Sequence, residues 1–407
     1  MSVVIVGTLD TKGAEIGFAR DVLQAQGVDV YVVDTGVVGE PGIDPDTPAS
    51  DVAEAAGTTL EHLREEADRG EAMTAMGEGA TAIAQRMYDE GDLDGIMGLG
   101  GSGNTSIATT AMRALPVGVP KLMVSTMASG DTEPYVGARD IMMLYSVADI
   151  EGLNQLSRQV IANAALAMVG MVTNEPDVEV EEKPTIGITM FGVTTPCAKT
   201  ARAYLEDRGY ETIVFHATGT GGRAMENLIQ EGIIDGVLDL TTTEWADELV
   251  GGVLNAGPDR LDAAGERGIP QVVSTGALDM VNFGPRESVP EKFEGRNFHI
   301  HNPQVTLMRT TPEENAELGE IIGEKLATAT GPTALALPLG GVSMLDVEGE
   351  EFHDPEADAA LFDALRESVD ENVDLIELET DINDESFAER LAETLDDSMR
   401  AAGTAPE

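Results

Sequence analysis

The stretch Asp94-Gly-Ile-Met-Gly-Leu-Gly-Gly-Ser-Gly-Asn-Thr-Ser106 decides the fold of this chain, because it joins an apolar run to a glycine-rich turn and a helix-like run at 107–114. A strand, a glycine turn and a helix start in this order form a phosphate site, since glycines let the backbone approach an anion and the first helical N–H groups point at it. A tight strand-to-helix turn without a ligand is the alternative. We predict that a phosphorylated small ligand contacts Gly100, Gly101, Ser102, Gly103, Asn104 and Thr105.

The glycine spacing restricts the class of ligand only in part. Gly98-x-Gly100-x-x-Gly103 satisfies the dinucleotide pattern, which is weak when it stands alone. No acidic residue follows about 20 residues on to hold a ribose, and no Gly-Lys-Ser/Thr follows as in a P-loop. The pattern therefore favours a nucleotide over a nicotinamide dinucleotide and its oxidoreductase chemistry.

Short β-branched runs alternate with helical periodicity on both sides of this stretch, which is typical of a doubly wound parallel sheet. Strands are predicted at 3–7, 28–34, 95–99, 121–126, 141–146, 185–190, 212–216, 236–240, 271–274, 304–308, 333–338 and 373–378. Helices near the first glycine turns are predicted at 14–26, 58–69 and 106–115.

The pattern is interrupted once, by the acidic segment 173–184 with its two prolines, which is typical of an interdomain linker. We predict an α/β protein of two doubly wound, mostly parallel Rossmann-like domains, at 1–172 and 185–407. Because open α/β sheets bind ligands at the carboxyl ends of their strands, we expect a cleft between the domains to hold the site.

The composition excludes several partners. The 407 residues carry 74 Asp and Glu against 24 Lys and Arg, a net charge of −50. Such a surface repels nucleic acid and acidic membranes, and it indicates a halophilic protein adapted to concentrated salt. No apolar run reaches the roughly 18 residues of a membrane span, and the chain starts on a strand pattern without a basic leader, so we expect a cytoplasmic protein.

Three further turns in the first half offer polar groups to a nucleotide. The loop Gly7–Gly13 presents Thr8, Asp10, Thr11 and Lys12: hydroxyls and a scarce lysine for phosphate, and a carboxylate for Mg²⁺. Asp34 ends the second predicted strand, where a carboxylate suits a ribose diol. The turn at 125–131 adds Ser129 and Gly130 as a wall of the pocket. Helix capping or a plain turn is the alternative at each position.

The second half offers a different set of candidates. The glycine loop at 216–223 begins with His216, a possible acid or base, and ends with Arg223, whose planar fork suits carboxylate or phosphate. Arg309 ends a predicted strand, and Asp346 follows a third glycine loop. These four residues are the catalytic candidates; a buried, hydrogen-bonded histidine and ordinary chain turns are the alternatives.

Two other features have weaker functional signals. His299 and His301 share one face of a strand, but no third ligand is evident nearby, so no metal site is predicted there. Cys197 lies at a helix start beside Pro196, where a thiolate would be stabilised. A buried structural cysteine is the favoured interpretation.

Four blocks together resemble the Tm-one-like ATP-binding family, long filed among uncharacterised proteins. The blocks are Gly7-Thr-Leu-Asp-Thr-Lys-Gly13, Gly98-Leu-Gly-Gly-Ser-Gly-Asn104, Phe215-His-Ala-Thr-Gly-Thr-Gly-Gly-Arg-Ala-Met-Glu226 and Gly340-Gly-Val-Ser-Met-Leu-Asp-Val-Glu-Gly349. The resemblance covers nearly the whole chain. It implies an N-terminal ATP-binding domain, a C-terminal α/β domain and assembly into homodimers or higher homo-oligomers. It implies a ligand and leaves the reaction open.

Three hypotheses for function follow. In the first, the chain binds ATP with Mg²⁺ and holds the phosphates at 98–106. In the second, it is an enzyme that acts on an anionic substrate in the cleft through His216, Arg223 and Arg309, with Asp346 in support. In the third, it is a non-catalytic sensor or scaffold that responds to ATP. We favour ATP binding.

Overall fold

The computed structural model describes residues 1–65, 67–174 and 183–406. Its contacts divide the chain into two compact units, at 1–179 and 180–407. Residues 175–182, which form most of the predicted linker 173–184, lie outside the described residues.

The described part of the first unit alternates strands and helices. Its elements are β1 (Ser2–Gly7), α1 (Leu9–Ala25), β2 (Asp29–Asp34), α2 (Ala49–Ala55), α3 (Leu60–Glu65), α4 (Arg69–Asp89), β3 (Gly95–Gly100), α5 (Ser102–Arg113), β4 (Lys121–Ser125), α6 (Glu133–Val136), β5 (Met142–Tyr145) and α7 (Gln155–Thr173).

The five strands form one parallel sheet in the order β2-β1-β3-β4-β5. The chain leaves β1 for β2 on one side and returns to β3 on the other, so the direction of winding reverses between β1 and β3. At such a switch point the loops diverge and leave a crevice above the carboxyl ends of the two strands. The predicted doubly wound α/β class is confirmed for this unit.

Side-chain alternation along the strands builds two cores in this unit. Val3 and Ile5 of β1 pack in the core beneath α1 and α7, whereas Val4 and Val6 pack in the core beneath α4 and α5. Within the described chain, α7 is the one helix that is long and apolar enough to cross a membrane. It packs against α1, β3 and β4.

Two helices begin nearer to the strands than predicted. Helix α1 begins at Leu9 instead of 14, and α5 at Ser102 instead of 106. Thr8 and Gly101 have extended backbone angles and end the strands directly at the helix starts. The helix predicted at 58–69 divides into α3 and the start of α4.

The second unit has a larger set of elements: β6 (Thr185–Met190), α8 (Thr195–Glu206), β7 (Glu211–His216), α9 (Thr220–Gln230), β8 (Gly236–Thr241), α10 (Glu244–Val250), α11 (Ala263–Arg267), β9 (Gln271–Gly276), β10 (Met280–Phe283), β11 (Phe298–Asn302), β12 (Val305–Arg309), α12 (Pro312–Ala327), β13 (Thr333–Pro338), α13 (Pro355–Ser368), β14 (Val373–Leu378) and α14 (Glu385–Ala402). Six of the strands form a parallel sheet in the order β14-β13-β9-β8-β6-β7.

The strand predicted at 304–308 forms, but outside the parallel sheet. As β12 it is the centre of an antiparallel sheet in the order β10-β12-β11. The sequence analysis placed His299 and His301 on a strand, which is β11, but it missed β10 and the antiparallel pairing of both strands with β12. This three-stranded addition places Arg309 at the end of its central strand.

Candidate functional site

A cavity of about 590 Å³ lies at the switch point of the first sheet, above the loops that follow β1 and β3. The residues predicted for a nucleotide that line it are Thr8, Asp10, Thr11, Lys12, Gly101, Ser102, Gly103 and Asn104. The two sequence motifs at 7–13 and 98–106 thus meet at one cavity.

The α5 end of the cavity is an uncapped helix start. Gly101 is the N-cap residue, with φ −82° and ψ −166°, and no side chain caps the helix. The first N–H groups of a helix have no partner within it, and the helix dipole makes this end positive. The first turn of α5 is therefore suited to an anion.

The glycines of this loop have different roles. A Cβ atom on Gly98 would lie 2.7 Å from Ala108 Cβ, and one on Gly100 would lie 2.8 Å from Asn104 Cβ. The protein itself needs glycine at both positions, because β3 packs closely against α5. A Cβ on Gly101 or Gly103 would meet nothing closer than 3.8 Å. Packing within the protein does not require these two glycines, and the space above them opens into the cavity.

The loop after β1 supplies hydroxyls and a cation. Thr8 Oγ1 and Thr11 Oγ1 are 2.9 Å apart. Lys12 departs from helical geometry, with φ −122° and ψ 15° inside α1. Its ammonium group makes no hydrogen bond or ion pair with the residues that the structure describes, and Lys12 lines the cavity.

Two arginines that the sequence analysis missed also line the cavity. Arg64 lies at the end of α3, and its Nε donates to Val37 O at 2.5 Å. Arg69 begins α4, and its Nη2 lies 3.8 Å from the position of a Cβ atom on Gly103. Among the lining residues that the structure describes, Lys12, Arg64 and Arg69 are cations, and Asp10 and Asp68 are carboxylates. A positive lining is unusual in a chain of net charge −50, and it favours an anionic ligand.

The two carboxylate oxygens of Asp10 have different surroundings. Its Oδ2 accepts hydrogen bonds from the amides of Val38 and Gly39, both at 3.1 Å, and so fixes the loop after β2. Its Oδ1 is buried without a hydrogen-bond partner in the described structure. One carboxylate oxygen is thus left to interact with a ligand or an ion.

Five other predicted residues do not line the cavity. Asp34 is 3% exposed, and its Oδ1 accepts from the amides of Leu9 at 3.0 Å and Gly36 at 2.8 Å, so it supports the loop from beneath. Burial raises the pKa of this carboxyl, while the two amide hydrogen bonds act in the opposite direction. Thr105 Oγ1 hydrogen-bonds to Ser125 Oγ at 2.7 Å. Gly100 is buried in β3, and Ser129 and Gly130 lie on a 3-10 turn after β4.

Asn104 connects the two loops. Its Nδ2 donates to Leu99 O at 2.8 Å and to Val6 O at 3.4 Å, and its Oδ1 accepts from Thr35 at 3.5 Å. These bonds join the carboxyl ends of β1 and β3. Asn104 therefore holds the cavity's two walls in register.

The glycine loop of the second unit is already filled. The amides of Gly219 and Gly222 both donate to Glu244 Oε1, at 2.7 and 3.0 Å. Glu244 Oε2 in turn accepts from Arg260 Nε at 2.8 Å. The loop at 216–223 is thus an anion cradle, as its sequence indicated, but the anion is the protein's own carboxylate.

Arg260 is the centre of this network. Its guanidinium is 1% exposed and also contacts Asp239 at 2.5 Å and Glu226 at 3.1 Å. The three carboxylates raise the pKa of Arg260 well above its ordinary value, although burial alone would lower it. Asp239, Glu244 and Arg260 lie outside the quoted motifs, and Glu226 ends one of them but was given no role.

Of the four catalytic candidates of the second unit, the structure pairs Arg309 with Asp346, whereas His216 and Arg223 contact other residues. His216 is exposed at the end of β7, and its ring lies edge-on to Phe191 with centroids 5.5 Å apart. Arg223 Nη1 donates to Asn255 O at 3.1 Å. Arg309 Nη2 donates to Asp346 Oδ1 at 3.0 Å, and the two side chains are buried.

Arg309 is surrounded by more carboxylates than it neutralises. Its Nη2 also donates to Asp358 at 2.7 Å, and Asp279 lies close enough to interact with it. Burial raises the pKa of Asp346 and of Asp358 to about 7, and that of Asp279 to about 6. This cluster connects β12 to the loop after β13 and to α13. Its carboxyl groups lie around the guanidinium of Arg309.

The remaining candidates have structural surroundings. Cys197 is fully buried, and burial raises its thiol pKa to about 12, which is the reverse of an activated thiolate. His299 Nδ1 lies 2.5 Å from Glu351 Oε2. Over residues 1–65, 67–174 and 183–406, no group of three or more His, Cys, Asp and Glu side chains is placed to hold a metal ion.

Comparison with known proteins gives matches along nearly the whole chain. An "UPF0261 protein" of Clostridium tetani is 56% identical over 398 residues and covers 98% of both chains. A relative from Mesorhizobium japonicum is 48% identical over 97% of this chain and 98% of its own. The tomato ToMV resistance protein Tm-1(GCR237) is 42% identical over 96% of this chain, which corresponds to 55% of the tomato protein.

Solved structures give much weaker likenesses. MurG of Acinetobacter baumannii covers 97% of the chain at 12% identity, with a TM-score of 0.25 and 99% of its own chain matched. UDP-N-acetylglucosamine 2-epimerase of Rickettsia bellii covers 67% at 9% identity, with a TM-score of 0.23 and 78% of its own chain matched. Neither score transfers a ligand or a reaction.

Two family descriptions cover the chain in sequence. Residues 1–177 match the N-terminal domain of the uncharacterised protein family UPF0261, and residues 183–399 match its C-terminal domain. The resemblance inferred from the motifs is thereby confirmed at the level of the family, which includes the tomato Tm-1 proteins. The chain belongs to the uncharacterised protein family UPF0261.

Proposed function

We propose that the N-terminal domain binds ATP in the cavity above β1 and β3, with the phosphates at the first turn of α5. The observation that carries the proposal is the open space above Gly101 and Gly103, at a helix start that no side chain caps. A phosphate there would receive hydrogen bonds from free amides at the positive end of the helix dipole. The Tm-one-like resemblance supports the same ligand.

The cations of the lining suit a chain of phosphates. Lys12 of α1 and Arg69 of α4 line the cavity together with the first turn of α5. Arg64 adds a third positive charge while it holds the wall at Val37. A protein binds polyphosphate with several positive charges and with correctly placed hydrogen-bond donors. The described lining of the cavity has both.

Mg²⁺ is the cofactor that we propose with ATP, and the residues present fit it. Asp10 Oδ1 is a buried carboxylate oxygen without a partner in the described structure. Protein sites for Mg²⁺ typically supply one or two carboxylates and leave the other positions to phosphates and water. When bound, the ion would neutralise phosphate charge. The proposal concerns binding, and no residue of the cavity is assigned a catalytic role.

Isothermal titration of the full chain with ATP and Mg²⁺ tests the proposal. Binding tighter than about 1 mM, the weak end of useful affinities, is expected for the unmodified chain. Gly103→Asp should abolish it, because the new carboxylate would occupy the amides that a phosphate needs, yet an acidic residue in a first helical turn is compatible with folding.

The matched control is Gly170→Asp, at a glycine of α7 with open space around its Cβ position. It adds the same charge away from the cavity, and ATP affinity should stay within twofold. If the unmodified chain gives no binding heat, or if Gly103→Asp binds ATP as well as Gly170→Asp does, the proposed site is wrong.

A further inference from the structure

Strand β5 forms one edge of the first parallel sheet, and within the described chain no strand pairs with its outer side. Its four residues are half-exposed or exposed, with Met142 at 49% and Tyr145 at 41%. Apart from β4, the element that packs most extensively on β5 is the 3-10 turn at 126–129, whereas α7 packs on β3 and β4. The outer backbone groups of β5 are therefore accessible to another strand.

The other edges of the two parallel sheets carry charge. Strand β2 begins and ends with an aspartate, β7 begins with Glu211, and β14 contains Asp374 and Glu377. Charged side chains on an edge strand oppose its pairing with another chain. The segment 141–148, which contains β5, has no charged residue, although the chain as a whole has a net charge of −50. Strand β5 therefore lacks the protection that the other edges have.

The helix over the neighbouring strand is also uncharged. Helix α7 packs on β4, and its residues 159–173 include no Asp, Glu, Lys or Arg. Leu166 of this helix is 48% exposed. Two copies of a chain with net charge −50 repel each other. Contact between copies is least opposed where the surface has no charge, as it has at β5.

We infer that β5 pairs with β5 of a second copy of this chain, antiparallel and about a two-fold axis, so that two five-stranded sheets become one continuous sheet. Two-fold dimers are the commonest homo-oligomers, and they use the same surface on both copies. A strand edge is suited to this, because antiparallel strands exchange N–H···O=C bonds between opposite residues.

The charges favour β5 over the other edges for this pairing. Pairing within 141–148 brings no two charged residues opposite each other in any register. The same pairing at β14 would place Asp374 and Glu377 of both copies in one ladder, where like charges are destabilising. The inference does not depend on the proposed ATP site.

Sedimentation equilibrium of the full chain in about 1 M KCl, where charges are screened within about 3 Å, tests the inference. The unmodified chain should have twice its monomer mass. Met142→Glu places a carboxylate of each copy at the contact, and the repulsion and desolvation should weaken the dimer about 100-fold or more. The matched control is Leu375→Glu, at a similarly exposed apolar residue of the edge strand β14, and it should leave the mass unchanged.

Three results would overturn the inference: a monomer mass for the unmodified chain, a dimer that Met142→Glu leaves intact, or equal weakening by Leu375→Glu. Circular dichroism checks that each variant is folded. If Met142→Glu does not fold, Tyr145→Glu, at the other exposed end of the strand, takes its place with the same expected loss.

Hydrogen exchange of the unmodified chain locates the contact. The amides of β5 should exchange at least about tenfold more slowly at protein concentrations above the dissociation constant than below it, because pairing protects them. The amides of β2, at the opposite edge of the same sheet, should exchange at the same rate in both conditions. A dimer that protects β2 and leaves β5 unprotected would also contradict the inference.

Discussion

Two glycine-rich loops with similar sequence patterns have different surroundings in this molecule. Gly98–Ser106 leads from β3 into α5 and leaves its helix start open to a cavity, whereas the loop at 216–223 leads from β7 into α9 and closes on Glu244. Both loops place backbone amides at a helix start, and in the second loop these amides donate to the carboxylate of Glu244. A glycine-rich loop between a strand and a helix therefore predicts a group of amides suited to an anion. The sequence of the loop does not predict whether that anion is a ligand or a side chain of the same protein.

The largest expected effect comes from removing the internal anion. Glu244→Ala would leave the Gly219 and Gly222 amides unpaired and take one carboxylate from buried Arg260, which costs about 3–5 kcal/mol when a buried pair is broken. Urea unfolding followed by the fluorescence of Trp245, the single tryptophan, measures this in the second domain. Glu393→Ala, at an exposed ion pair, is the control and should cost under about 1 kcal/mol. Equal losses in the two variants would mean that the loop does not depend on Glu244.

Within the first loop, two glycines should respond to alanine with opposite signs. Gly98→Ala forces a Cβ atom to within 2.7 Å of Ala108 Cβ, and such overpacking costs about 1–3 kcal/mol. Gly103→Ala has room for its Cβ and should stabilise α5 by about 0.5–1 kcal/mol, the usual difference between the two residues in a helix. Hydrogen exchange of amides in β3 and α5 gives both values. Stabilisation by Gly98→Ala, or a loss in Gly103→Ala as large as that in Gly98→Ala, would contradict the assigned roles.

Another expected effect is a pH dependence of the stability of the second domain. Asp346 and Asp358 have pKa values of about 7 when folded, above the unfolded value near 3.9, so the folded domain holds more protons between these limits. Their contribution is fully present below the unfolded pKa and is lost as pH rises through 7, by at most about 1.4 kcal/mol per pH unit for each proton. Urea midpoints from Trp245 fluorescence at pH 5 and pH 8 test this. Asp358→Asn should flatten the dependence, and exposed Asp363→Asn should not; equal slopes in both would exclude this cluster as the cause.

The fold could be predicted because its signals are local. Alternating apolar runs and helical periodicity define the strands of both parallel sheets, and the glycine loops mark where strands meet helices. Strand partners are harder to predict: the strand at 304–308 pairs with β11 across the turn at 303–304, but it also pairs with β10, which is distant in sequence. Hydrophobic periodicity predicts later starts for α1 and α5 than the structure has. The first residues of these helices, Leu9 and Ser102, lie within the glycine-rich turns, where the periodic pattern has not yet begun.

The candidate site could be predicted only where it depends on motifs. Lys12 and Gly103 lie in glycine-rich turns, and these turns meet because β1 and β3 are neighbours. Arg64 and Arg69 come from helices without a motif; the scarcity of cations in the chain is the one signal that could have selected them. Asp34 was expected to face a ribose, but its carboxylate receives the Leu9 and Gly36 amides instead, an arrangement that requires the three-dimensional turn.

The burial of Arg260 has a consequence for how the stability of the second domain depends on salt concentration. At 1 M salt, electrostatic attraction between exposed groups fades within about 3 Å, because mobile ions gather around each charge. Those ions cannot reach a guanidinium that is 1% exposed and enclosed by Asp239, Glu226 and Glu244. As the salt concentration rises, the exposed ion pairs weaken. The buried ion pair between Arg260 and Glu244, which holds the second glycine loop, keeps its strength.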